Sequence, residues 1–119
     1  MPEASLPPPS LVTRPEALHR MVEKLIRQPL VAVDTESNSL FAYREQVCLV
    51  QFSIPEADYL VDPLAINDLS PLDVLFYDPG IEKIFHAAEY DLICLKRDYG
   101  FQFANLFDTM HALRILGRD

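Results

Sequence analysis

Cysteine is scarce in this 119-residue chain, and the two present, Cys48 and Cys94, show neither a CxxC spacing nor a secretory context. That excludes a disulfide framework and a cysteine-based zinc site, so both read as buried free thiols. Long hydrophobic runs are missing as well. No segment approaches the roughly 20 apolar residues of a bilayer-spanning helix, and the N-terminus has no positively charged, apolar leader. A cytoplasmic setting without membrane contact is therefore expected. Basic residues are few: 10 Lys and Arg stand against 18 Asp and Glu, a formal net charge of -8. Nonspecific nucleic-acid affinity comes mainly from cations that neutralise phosphates, so a general polyanion binder is disfavoured. A protein that meets phosphates through bound divalent cations is less constrained, because the metal offsets the carboxylates that hold it. Internal repeats and low-complexity core segments are absent too.

What remains is a chain with 50% hydrophobic residues, enough for the core of one domain. Residues 1–10 contain Pro2, Pro7, Pro8 and Pro9 and read as a mobile lead, which leaves 11–119 as the folded domain. Thr13-Arg14-Pro15-Glu16 fits a capping box, and Leu18, Met21, Val22 and Leu25 give the helix that follows one apolar face until Pro29 ends it. Leu30 to Asp34 is a strand, then a loop from Ser37 to Gln46 leads to a second strand, Val47 to Phe52. A turn at Ile54 to Ala57 pairs it with a third, Asp58 to Val61. Ser70-Pro71-Leu72-Asp73 opens a short helix with Leu72, Leu75 and Phe76 inward, stopped by Asp78-Pro79-Gly80. Lys83 to His86 is a strand feeding a helix from Ala87 to Asp98 that Gly100 terminates. Leu106 and Phe107 form the last strand, and Asp108 caps a final helix to Leu116. A hairpin followed by strand-helix alternation predicts an α/β domain with a mixed five-stranded sheet and helices on both faces.

Three carboxylates stand out against this frame. Side chains two apart on a strand point the same way, so Asp34 and Glu36 project from one face and Thr35 from the other. They close an apolar run, where an acid is expensive, and two like charges side by side require a cation. Asp91 shares a helical stripe with Ala88, Leu92 and Leu95, which directs it at the sheet. Hard carboxylate oxygens suit Mg²⁺ or Mn²⁺, whereas zinc would want His or Cys. Asp108, between a strand and a helix, is more simply an N-cap. His86 at a strand end reads as a structural hydrogen-bonder. His19 and His111 read as helix-surface residues, and Lys96 and Arg97 as a solvated face. Leu40, Phe41 and Tyr43 either stack on a base or cover the core.

Asp34-Thr35-Glu36, the stretch from His86 to Tyr99, and Asn105-Leu106-Phe107-Asp108-Thr109 resemble the first two motifs and the following strand of ribonuclease D type 3′-5′ exonucleases, which belong to the Asp-Glu-Asp-Asp exonuclease superfamily. The resemblance runs from Leu11 to the C-terminus. The third motif of that family, Tyr-x-x-x-Asp on a late helix, does not occur here. The resemblance implies a ribonuclease H-like fold, truncated before its last helices. It also implies removal of nucleotides one at a time from a single-stranded RNA 3′ end by two-metal hydrolysis, releasing nucleoside 5′-monophosphates. In that scheme Asp34 bridges two ions, Glu36 holds the water-activating ion and Asp91 the leaving-group ion. With the fourth Asp and the Tyr missing, the chain alone is expected to be inactive, and the surface left uncovered to favour self-association. Two other readings stay open: a DNA 3′-5′ exonuclease, and a non-catalytic module of the same fold that binds nucleic acid or protein.

Overall fold

Burial alternates along the centre of the molecule. Val31, Val33 and Thr35 are buried while Ala32, Asp34 and Glu36 are exposed, the period-two pattern of a strand with one covered face. The computed structural model describes residues 7–38, 46–86 and 89–108. The elements in chain order are β1 (Ser10–Val12), α1 (Pro15–Leu25), β2 (Leu30–Asn38), β3 (Gln46–Ile54), β4 (Ala57–Val61), α2 (Pro71–Phe76), β5 (Glu82–Phe85), α3 (Glu89–Tyr99) and β6 (Leu106–Asp108). The strands form one sheet in the order β1-β4-β3-β2-β5-β6. β3 runs against the others, pairing antiparallel with β2 and β4, while the remaining pairs are parallel.

This is the mixed α/β sheet expected, with six strands in place of five. The extra strand is β1, three residues at the edge, too short to show a period of its own. It is held by pairing with β4 in the register Val12 to Val61, and Val12 is 2% exposed. α1 also starts differently from the expected capping box. Its N-cap is Arg14, in extended backbone and without a side-chain capping bond, and Pro15 is the first helical residue. A residue before proline is pushed out of the helical region, so Arg14 cannot be the first turn that a cap at Thr13 would need.

Helices were expected on both faces of the sheet. Among the described residues all three serve one face. Leu18, Met21, Val22 and Leu25 of α1, Leu72, Leu75 and Phe76 of α2, and Cys94 and Leu95 of α3 share a single core with Val31, Val33, Phe52, Val61 and Phe85. Phe76 is the hub, its ring 4.9 to 6.1 Å from those of Phe52, Phe85, Phe101 and Phe103. Gly100 ends α3 with φ 69, a left-handed position that suits glycine. The opposite face carries Ala32, Asp34, Glu36, Gln51 and Ile84, all exposed or half-buried. The loop with Leu40, Phe41 and Tyr43, the final helix expected after Asp108, and residues 1–6 of the lead lie outside the described residues.

One buried charge was not foreseen. Lys83, on β5, is 0% exposed, and its Nζ donates to the carbonyl of Asp78 at 2.6 Å. Burial pushes its ammonium below the usual lysine range, with the Asp78 carboxylate opposing. The same corner is tied by Asn105, whose side-chain amide donates to the Pro79 carbonyl at 3.0 Å. Lys83 thus staples the Asp78-Pro79-Gly80 turn to the sheet.

Candidate metal centre

The alternation along β2 delivers the first part of the site: Asp34 and Glu36 leave the central strand on its open face. The Thr35 amide donates to Asp34 Oδ1 at 2.9 Å, anchoring one carboxylate oxygen to the backbone. Glu36 sits beside a β-bulge. It lies opposite Leu49, but Ser37 lies opposite Val47, so Cys48 is an extra residue on β3. Its thiol donates to the Glu36 carbonyl at 3.4 Å. The inserted residue also turns Val47 onto the covered face, where it is 0% exposed. Without the bulge, Val47 would follow Leu49 onto the open face.

Between the two strands lies a shallow depression of about 20 Å³ lined by Asp34, Thr35, Glu36, Leu49 and Gln51, room for roughly one water-sized guest. Gln51 is directly across from Asp34. It was not singled out from sequence, although the burial of Val50 and Phe52 on either side would have placed it on this face. His86 follows β5 and donates its amide to the Val33 carbonyl at 3.0 Å, which brings it level with Asp34.

The expectation that these acids stand where charge is expensive does not hold for Asp34 and Glu36, because both are exposed. Leu30 at 42% exposure and the exposed Ala32 show why: the apolar run is half covered, not buried on both sides. Desolvation is therefore a small part of their energetics, and mutual repulsion is the part a cation would relieve. Asp91 takes the third position of α3, a helix that lies against β2 and β3. Its side chain lies outside the described residues, and so does its convergence with the other two. Among the described residues no group of three His, Cys, Asp or Glu could hold a metal ion. What the described part of the site supplies is two oxygen-donor carboxylates on a backbone frame. Cys94 is buried in the core and Cys48 half-buried at the bulge.

Lys96 and Arg97 are both exposed, the solvated face expected of them. Arg97 forks onto its neighbour Asp98 at 2.8 and 3.1 Å, and the Lys96 ammonium lies 5.8 Å from the centre of the Phe103 ring.

Residues 9–119 match the 3′-5′ exonuclease family. The chain is 41% identical over 116 residues to ribonuclease D of Gluconacetobacter diazotrophicus, an alignment covering 97% of this chain and 30% of the relative. It is 43% identical over 101 residues to the exosome complex exonuclease RRP6 of Saccharomyces cerevisiae, covering 84% of this chain and 14% of the relative. Escherichia coli RNase D, an exoribonuclease involved in structured RNA processing, superposes with a TM-score of 0.85 at 33% identity, over 95% of this chain and 30% of that one. The chain thus spans less than a third of the length of each of these relatives. With the open-face carboxylates of β2 and a match along nearly its whole length, the chain belongs to the 3′-5′ exonuclease family as a ribonuclease D-like domain.

Proposed function

We propose that this domain carries the metal-binding part of a hydrolytic exonuclease that trims RNA from its 3′ end and releases nucleoside 5′-monophosphates. The observation that carries the reading is the pair Asp34 and Glu36 on the open face of the central strand, in a chain that matches the exonuclease family over residues 9–119. Asp91 is the third ligand in this reading, supported by its place in the first turn of a helix that abuts β2.

Divalent-metal dependence is typical of the family, and hard oxygen donors fit Mg²⁺ or Mn²⁺ better than softer ions. Bound there as a pair, such ions supply a water-derived nucleophile and offset charge on the leaving 3′ oxygen. The chain's own contribution is positional. The Thr35 amide holds the Asp34 carboxylate, the bulge at Cys48 sets the height of Glu36, and the extended backbone of β2 keeps the two side chains on one side. RNA is preferred to DNA as substrate because the relatives at high identity are named for ribonuclease and exosome activity. The binding-module alternative is less favoured for the same reason. The reading keeps the cytoplasmic setting expected from sequence, and no described helix is long and apolar enough to cross a membrane.

The test has two arms. Titration calorimetry of the chain with Mn²⁺ should show binding that Asp34→Ala abolishes. A 5′-labelled RNA and the DNA of the same sequence should then be followed with Mg²⁺ or Mn²⁺ on the chain joined to a Tyr-x-x-x-Asp helix. Stepwise 3′ shortening, faster on RNA and lost in Asp34→Ala, is the expected result. Equal Mn²⁺ binding by wild type and variant, together with intact ends on both polymers, would overturn the proposal.

A further inference from the structure

Charge is sorted around α1. With Leu18, Met21, Val22 and Leu25 facing the core, Glu16 and Glu23 fall on one flank. Arg20, Lys24 and Arg27 fall on the other, spaced four and three residues apart so that they form one row. All three are exposed, and none is in an ion pair among the described residues. In a chain with a net charge of -8 such a row is the exception.

The row borders a groove between α1 and the β1–β4 edge of the sheet. One part, of about 280 Å³, is lined by Arg20, Lys24 and Tyr59 among others. A second part, of about 390 Å³, is lined by Lys24, Arg27, Gln28 and Tyr59, with Glu56 the one acidic side chain at its wall among the described residues. Lys24 and Tyr59 line both, so the two parts are neighbours.

We propose that this groove is a secondary docking track for the phosphate backbone of single-stranded RNA, upstream of the 3′ end held at Asp34 and Glu36; the proposal rests on the exonuclease reading above. Three cations without an ion pair among the described residues, Arg20 and Lys24 on α1 and Arg27 in the turn just past its C-cap, offer a row of phosphate contacts about 10 Å long. Tyr59 is 8% exposed, so it offers the groove no free face on which a base could stack. Contacts of this kind position a strand without reading its sequence, which suits an enzyme that must hold every successive register. The groove lies on the helix-covered side of the sheet and Asp34 and Glu36 on the open side, with β1 three strand positions, about 14 Å, from β2, so a strand bound at both must pass over the β1 edge. Only an RNA several nucleotides longer than the reacting end can reach it.

The test measures binding, by fluorescence anisotropy in EDTA, of labelled oligouridines of about 4 and about 16 nucleotides. Wild type is compared with a triple variant, Arg20→Gln, Lys24→Gln and Arg27→Gln. Three lost contacts at about 0.7 each should flatten the slope of log K against log salt by about 2 for the long oligomer, roughly 20-fold in affinity between about 50 and about 200 mM salt. The short oligomer should bind both proteins alike, and Arg20→Lys with Arg27→Lys should retain the wild-type slope. Circular dichroism confirms that the variants fold. Identical slopes for wild type and triple variant would overturn the track, and so would binding of polyglutamate but not RNA, which would assign the groove to an acidic polypeptide. Failure of the exonuclease reading shows elsewhere, as absent 3′ shortening and an unaltered Asp34→Ala, and leaves the salt slope readable.

Discussion

Replacing Asp34 by Asn should make the metal-free protein more stable and the metal-bound protein less so. Asp34 and Glu36 leave the same face of β2 two residues apart, placing their charges roughly 7 Å from one another. At that distance the repulsion is about 0.6 kcal/mol in water and about 2.4 kcal/mol at an effective permittivity of 20. Both side chains are exposed, so the lower figure applies. Asn keeps an oxygen able to accept the Thr35 amide, so the substitution removes charge and spares the hydrogen bond. In EDTA and low salt the variant should gain about 0.6 kcal/mol, or about 2–4 °C in Tm, and the gain should vanish near 1 M salt, where the Debye length is about 3 Å. Mn²⁺ at about a hundredfold its Kd should stabilise wild type by about 2.7 kcal/mol and the variant hardly at all. Thermal unfolding followed by far-ultraviolet circular dichroism should therefore show the order of the two proteins reversing between EDTA and Mn²⁺. A variant less stable than wild type in EDTA, or an equal Mn²⁺ shift in both, would refute the view that these carboxylates are a cation site.

Phe76→Ala should cost about 3–5 kcal/mol in urea unfolding, since it empties a fully buried site ringed by four aromatic side chains; a loss under about 1 kcal/mol would mean the hub collapses without consequence. Lys83 gives a pH signature. Its folded pKa lies below the ordinary value of 10.5 because of burial, so between those two values the unfolded chain holds more protons and stability rises with pH. Below the folded pKa the penalty is constant. Urea curves of wild type and Lys83→Met, compared as pH is raised toward 10.5, should shift progressively in favour of wild type; a pH-independent difference would show that Lys83 is not held in a disfavoured charged state.

Local chemistry in the chain was enough for several features. Alternation from Val31 to Glu36 set which way Asp34 and Glu36 point, because strand period depends only on neighbours in sequence. Apolar spacing in residues 18–25 identified the core face of α1, and Pro71 and Gly100 marked a helix start and a helix end through fixed or permissive backbone angles. The motif around Asp34 was legible for the same reason, as a short-range pattern of residue types.

Tertiary pairing decided the rest. β1 exists because β4 offers an edge to residues 10–12, and three residues carry no period that could announce it. The bulge at Cys48 is a mismatch between two strands, so neither strand shows it alone, yet it sets Glu36 against Leu49 and buries Val47. The sequence pattern of β2 could say that its faces differ, but not that α1, α2 and α3 would all gather on one of them and leave the carboxylates in the open. Nor could it show Lys83 stapling the turn at Asp78, since a charge in a strand is ordinarily read as exposed and its burial depends on a carbonyl delivered by another part of the chain. Side-chain direction is a property of a few consecutive residues; burial, register and the company a charge keeps belong to contacts between segments far apart in sequence, and these exist only once the sheet has closed on its core.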